Sequence, residues 1–252
     1  MFRMRAFIAT ALWVTALGSS AGAAGPYYPG GYPRAYAPAA SGQDPGLFFI
    51  ETTIGAYSRD VEEPISAVGT TFTSGADSTR LLARFGIRPV PILELYGLVG
   101  GADLSLPDFE DFRGDFVGAY GGGARLTFYQ SPIYPGLRFY LDGNVLQFES
   151  RDTHFVDTIV QEEKIRWTEY TAMLGIRGRY FLTEPYGGIR ASWVSTRDHI
   201  PSVGDLHIRQ QDTVGLFLGF DFYLDRSRMV AFNIEATAID QNSIRGGLRF
   251  NF

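Results

Sequence analysis

Cysteine is absent from this chain, so neither disulfide staples nor thiolate metal sites hold it together. Lysine is nearly absent: Lys164 is the only one, and every other cation is arginine. Beyond the first two dozen residues, no stretch stays apolar long enough to cross a bilayer as a helix, because Arg, Glu, Asp or Gly interrupts at alternate positions. A basic surplus is missing too. The 22 Lys and Arg stand against 27 Asp and Glu, a net charge of −5, which argues against nucleic-acid binding.

What the chain does have is alternation. In the last ten residues Ile244, Gly246, Leu248, Phe250 and Phe252 share one face of an extended strand. Ser243, Arg245, Gly247, Arg249 and Asn251 share the other, because strand side chains alternate with period two. A closing strand with one apolar face, one polar face and a terminal aromatic residue is how a bacterial outer-membrane β-barrel usually ends. Aromatics at 15% and 30 glycines, above the roughly 7% glycine of soluble proteins, fit aromatic girdles and a tightly packed lumen.

The amino terminus predicts export. Met1 to Arg5 is a short basic segment, Ala6 to Gly18 an apolar run too short to span a bilayer, and Ala21-Gly22-Ala23 a small-x-small cleavage site. Residues 1–23 are therefore read as a signal peptide. Losing Arg3 and Arg5 with it leaves 20 cations against 27 carboxylates, about −7 for the mature chain. Residues 24–46 are dense in Pro, Gly and Tyr, which excludes helix and ladder strand and predicts a periplasmic linker.

Residues 47–252 read as strand, turn, strand, loop, repeated. Ten strands are expected at 47–57, 79–88, 92–103, 115–129, 137–149, 165–180, 185–196, 212–224, 229–238 and 243–252. Each is long enough to cross a bilayer at a tilt, which takes roughly 9–11 residues. Short turns at 88–91, 130–136, 181–184 and 225–228 alternate with longer polar stretches at 58–78, 104–114, 150–164 and 197–211. That is the periplasmic-turn and extracellular-loop asymmetry of outer-membrane barrels, and an even strand number puts both termini in the periplasm. The 239–242 connection should be an outer loop and is short.

One face of these strands is apolar. The other carries Glu51, Arg84, Arg88, Glu94, Arg125, Arg138, Asp142, Glu169, Arg177, Arg179, Arg190, Asp221, Glu235, Arg245 and Arg249. A mid-plane Arg facing lipid costs about 2–4 kcal/mol, so these residues are expected to line a lumen as Arg–carboxylate pairs. The parity of Trp167 also places it inward. The competing architecture is a soluble, lipocalin-like barrel with the faces reversed. Aromatics at strand ends, the turn and loop alternation and the terminal Phe favour the membrane.

Three segments are similar to strand–turn–strand units of the OmpA-like outer-membrane β-barrel superfamily: Leu174 to Trp193, Tyr120 to Tyr129 and Gly246 to Phe252. The resemblance covers roughly residues 47–252 and implies an all-β, single antiparallel up-and-down transmembrane barrel. Its familiar small members have eight strands, and eight stays open beside the ten counted. The peptidoglycan-binding domain of some members has no counterpart among these motifs.

Candidate chemistry is sparse. His154, His199 and His207 fall in or beside long loops. Arg197-Asp-His-Ile-Pro-Ser202, with Asp205 and His207, holds the residue types of a lipid-cleaving hydrolase or a metal site without a rigid strand to fix them. The glycines at 118 to 123 lack a following helix and Gly-Lys-Ser/Thr, so they are read as room for bulky lumen neighbours rather than a phosphate loop. Glu62-Glu63, residues 108–111 and Glu162-Glu163 are acidic and read as solvated loop charge.

The sequence thus predicts a non-enzymatic outer-membrane barrel with a structural or surface-contact role, no cofactor and no metal. Its expected partners are outer-membrane lipid, lipopolysaccharide and, through Leu248, Phe250 and Phe252 of the closing strand, the barrel-assembly machinery. A narrow porin-like channel and a lipid-modifying hydrolase are the alternatives.

Overall fold

The backbone pairs with itself all the way round. The computed structural model describes residues 47–65, 70–108, 112–134, 136–156, 159–200, 204–206, 209–210 and 213–252. The proposed signal peptide and linker lie outside them. The strands are β1 (Phe48–Ile65), β2 (Thr70–Val90), β3 (Leu93–Leu106), β4 (Phe112–Gln130), β5 (Arg138–Val156), β6 (Ile159–Arg177) and β7 (Thr183–Ile200). Two short segments follow, β8 (Gly204–Leu206) and β9 (Arg209–Gln210), then β10 (Val214–Tyr223), β11 (Val230–Ala238) and β12 (Asn242–Asn251). No helix is assigned among the described residues.

Each long strand pairs antiparallel with its neighbour in sequence. β7 pairs β10, and β1 pairs β12, so ten long strands close a ring. β8 extends from β7 and β9 pairs β1 at the rim. The seam is tied at its end: Phe48 N donates to Phe252 O at 3.2 Å and Phe252 N to Phe48 O at 2.9 Å. The fold is an all-β, antiparallel, up-and-down barrel of ten strands, not eight. Closure leaves no open edge along the ring, the one sheet arrangement that survives without water to satisfy its edges.

The expected long loops are corrected in part. Residues 58–65 and 70–78 continue the β1–β2 ladder to the pair Ile65 and Thr70. Residues 150–156 and 159–164 continue the β5–β6 ladder to Val156 and Ile159. Polar outward positions there look like loop in a linear reading. Inward positions such as Val61, Ala76 and Ser150 keep the strand period, and all three are buried.

The two faces of the strands exchange character along their length. In the half nearest the short turns, Ile54 (60% exposed), Phe85, Leu95, Leu141 (48%), Leu174 and Leu216 face outward. Glu51, Glu94, Asp142 and Arg190 are buried inside. Toward the hairpin tips the order reverses. Asp60, Asp77, Arg151 and Arg166 are exposed outside, while Val61, Leu104, Leu106, Phe112, Phe148 and Trp167 (1%) form an apolar cluster within. Trp167 thus faces inward, as its parity requires.

Glycine makes room for rings in the lumen. Tyr140 stands directly opposite Gly175, and a Cβ added there would lie 2.4 Å from its ring. The cross-strand pairs Phe49 with Gly86, Tyr96 with Gly123 and Tyr186 with Gly219 repeat the device. Each ring lies flat over a neighbouring backbone, covering a position without a side chain of its own. Gly175→Val is expected to overpack this site and lower stability by about 1–3 kcal/mol. The check is the urea midpoint of protein refolded into phosphocholine vesicles, read by tryptophan fluorescence; an unchanged midpoint refutes the ring-over-glycine packing.

Candidate functional site

The lumen is occupied by tiers of arginine and carboxylate. At the turn end Glu184, fully buried, receives Arg138 at 2.8 Å, Arg179 at 2.8 Å, Arg228 at 2.7 Å and Arg177 at 3.4 Å. Arg177 also reaches Asp221 at 2.8 Å. These residues come from β5, β6, β7, β10 and the adjoining turns, so the cluster ties four neighbouring strands of the ten.

In the middle tier Glu94 takes Arg84 at 2.8 Å, Arg88 at 3.2 Å and Arg249 at 2.8 Å. Asp142 accepts from Arg125 Nε at 2.7 Å and from the Tyr96 hydroxyl at 2.6 Å. Glu51 accepts from Asn233 at 2.9 Å and lies 3.7 Å from Arg249. Glu235 pairs with Arg245 at 2.8 Å. The guanidiniums also lie over aromatic faces: Arg84 is 3.5 Å from the Tyr96 ring centre and Arg249 4.0 Å from that of Phe49. Each contact adds cation–π attraction to a desolvated pair.

The third tier centres on Glu169, which binds Arg59 at 2.8 Å, Arg80 at 2.9 Å and Arg190 at 3.0 Å. Arg190 reaches Asp240 at 3.2 Å and donates to Gln241 at 2.9 Å. Arg59 donates to Gln210 at 2.9 Å and also to Gln241. Asp240 and Gln241 enter from the tight β11–β12 turn, which holds Ile239 at φ 87°, a region that β-branched residues rarely adopt. Such backbone strain persists where the surroundings over-determine it. Above this tier sits the apolar cluster around Trp167, and Arg59 lies 5.7 Å from the Trp167 ring.

All fifteen residues expected to face inward take part in these contacts. Sequence reasoning missed Arg59, Arg80, Glu184, Arg228, Asp240 and Gln241. Arg80 shares the parity of Arg84 and Arg88, and that signal was sufficient to find it. Arg59 shares the parity of Glu51 beyond an expected strand end; the other four lie in segments read as turn or loop. Leu248 and Phe250 are half exposed on the outward face of β12, and Phe252 is exposed at the seam.

His207 and Ser202 lie outside the described residues, as do the side chains of His154, Asp198, His199 and Asp205. The backbone register sets His199 opposite Asp205. Gly123 holds the Tyr96 ring rather than a phosphate. Among the described residues no group of three or more His, Cys, Asp or Glu is placed to hold a metal. What the tiers do chemically is neutralise and cross-link: every lumen carboxylate named above is engaged by arginine. Breaking a buried pair leaves uncompensated charge. Glu169→Gln, which removes the carboxylate shared by Arg59, Arg80 and Arg190, is expected to cost about 3–5 kcal/mol. Arg166→Gln, on an exposed pair, should cost under about 1 kcal/mol. Urea titration of both variants checks the contrast, and equal midpoints refute it.

No family model and no curated protein matches the chain. Among solved structures it is similar to the outer membrane protease OmpT from Escherichia coli, at 8% identity and TM-score 0.48, covering 82% of this chain and 97% of that one. It is similar to the translocator domain of the autotransporter NalP from Neisseria meningitidis, at 7% identity and TM-score 0.43, covering 81% and 88%. It also resembles the Ralstonia pickettii toluene transporter TbuX, at 9% identity and TM-score 0.33, covering 82% and 90%. One expectation is corrected here. The chain was read as not an enzyme, yet a protease stands among barrels of similar form, so the architecture gives no ground for excluding catalysis.

Proposed function

We propose that this chain is an exported, integral outer-membrane barrel of OmpA-like descent, with ten strands. In this reading its lumen is a sealed internal scaffold and its role in the envelope is exercised at the hairpin rim. The observation that carries the proposal is the exchange of faces along the strands. Over the turn-side half, hydrocarbon-compatible side chains face outward all round, and the charged side chains that lipid would reject are paired within. Beyond Tyr170 and Trp193, which are half exposed, the outward positions turn polar and the interior turns apolar, as a barrel standing in water requires. The change of solvent is written into the same strands. The band reaches from Ile176 to Tyr170 on β6, shorter than the roughly 9–11 residues of a full span, with the remainder supplied by the interfacial ends of the strand.

The orientation follows from the ends. Both Phe48 and Phe252 lie at the short-turn end, and in this reading that end, with the linker and the closing strand, faces the periplasm. That strand, with Leu248, Phe250 and Phe252, is proposed as the segment read by the assembly machinery. The long hairpins then stand above the outer leaflet.

Sealing has a direct consequence. Three tiers of paired side chains under an apolar cap leave the lumen filled, and a barrel of about this strand number has little volume beyond its own side chains. Planar bilayers containing the purified protein should stay electrically silent under voltage; stable conductance steps would replace this reading with the narrow pore. The absence of native cysteine permits a clean topology test. In intact cells Thr153→Cys, on the β5 hairpin, should react with a membrane-impermeant maleimide and Tyr134→Cys, in a short turn, should not. The reverse labelling pattern overturns the orientation, and recovery of the mature chain as a detergent-free soluble monomer overturns the membrane assignment.

A further inference from the structure

Above the apolar band the outward charges are sorted by sector. On β1 to β4 the outward positions at this height carry Asp60, Asp77, Asp103 and Asp115, with Arg113 among them. On β5 and β6 they carry Arg151, Lys164 and Arg166, with Glu149 between. Lys164 is the only lysine of the chain, and it stands directly opposite Arg151. Glu149 stands opposite Arg166 in the same ladder, and the register sets Arg197 of β7 opposite Arg166 on its other side.

The geometry is that of a cationic shelf. Glu149 accepts from Arg151 at 3.1 Å and from Arg166 at 3.3 Å, which fixes the two guanidiniums side by side. Their side chains remain 52% and 53% exposed. The hydrogen bond from Arg166, then that from Arg151, holds the Glu149 carboxyl below its ordinary range, so it stays ionised at neutral pH. One carboxylate is thus shared by two exposed arginines, with Lys164 opposite Arg151 in the ladder. These cations point sideways from the barrel wall, not into the lumen.

The height decides what they meet. Arg166 is four residues beyond Tyr170 on β6, about 13 Å along the strand and about 10 Å along the membrane normal at the usual tilt. Tyr170 is the register partner of Trp193, and both rings face outward, half exposed. Two interfacial rings with arginine and lysine above them offer an apolar surface for acyl chains and sugar, then charge-assisted donors at phosphate level. Arginine binds phosphate through two parallel hydrogen bonds, and lysine adds a point charge. The adjoining sector on β1 to β4, with its carboxylates, repels the same group.

We propose that Arg151, Lys164 and Arg166 form a one-sided docking site for the phosphorylated glycolipid of the outer leaflet, lipid A, with Tyr170 and Trp193 beneath its headgroup. The proposal rests on the membrane orientation given above and assigns that orientation a lipid and a face.

The test is native mass spectrometry of the purified full chain in detergent with lipid A added. Dephosphorylated lipid A and phosphatidylglycerol serve as parallel probes. The wild type is expected to retain one lipid A, and R151Q/K164Q/R166Q to bind it at least tenfold more weakly. D60N/D77N/D115N, in the acidic sector, should bind it as the wild type does. Heat-modifiable gel mobility shows whether each variant is assembled. If the triple variant fails to assemble, Lys164→Gln and Arg166→Gln singly should each weaken binding at least threefold. Undiminished binding by the assembled basic variants overturns the site, as does equal loss in the acidic-sector variant. Equal binding of dephosphorylated lipid A or of phosphatidylglycerol overturns the ligand. This measurement in detergent does not depend on orientation, whereas maleimide labelling at Thr153 does. Failure of the site is therefore distinguishable from failure of the membrane reading.

Discussion

The backbone of a strand carries one donor and one acceptor per residue, and closing the ladder between β1 and β12 gives each long strand a partner on both sides. Everything else in the molecule depends on that closure. A ring of ten strands fixes a circumference, and the circumference fixes how much side-chain volume the interior holds. Glycines opposite Phe49, Tyr96, Tyr140 and Tyr186 let rings lie flat where a second side chain would not fit. Arginines fill the remaining space because a planar, permanently charged fork can pair with two carboxylates and stack on a ring at once. Arg84 does all of this, between Glu94, Asp142 and Tyr96.

The exchange of polarity along the strands is a second consequence of one period-two pattern meeting two solvents. Within a hydrocarbon band the outward face must be apolar, so charge is driven inside and there must be paired. In water the demand reverses, and the interior beyond the band packs as an ordinary hydrophobic core around Trp167 and Phe148, whose rings stack at 6.2 Å. The Glu169 tier lies where the two regimes join. Its three arginines reach from β1, β2 and β7 under the apolar cap, and Arg59 touches both. A buried ion-pair lattice adds little net stability over a well-packed apolar core of the same volume. Its contribution here is to specify one arrangement in a lumen that lipid-facing chemistry obliges to be polar.

In the proposed reading a sealed lumen moves any activity to the rim and the outer wall. A barrel fold does not by itself select a role, which is set by the groups grafted on it. What distinguishes this chain is local. It has a cationic shelf on β5 and β6 beyond the apolar band, an acidic sector on β1 to β4, and a tight β11–β12 turn that sends Asp240 and Gln241 inward.

Alternation by itself determined a great deal. It separated Glu51, Arg84, Glu94 and Arg249 from Ile50, Phe85, Leu95 and Leu248, and together with the punctuation by Pro, Gly and polar turns it marked out all ten spans. It placed Trp167 on the inward side and the terminal Phe at a seam. It failed at the hairpin ends, because residues such as Asp60, Arg151 and Arg166 resemble loop when read along the chain. They are strand positions whose outward neighbour is water. It also failed to name the contacts. Strand period fixes which residues share a face, but Arg80, Glu169 and Arg190 meet only because ring closure sets the lumen width and the register slides β2, β6 and β7 to one height. Glu184 and Arg228, read as turn residues, became lumen residues for the same reason. The local chain decided which side chains travel together. The closed ring decided what they touch, because distances across a lumen depend on every strand around it.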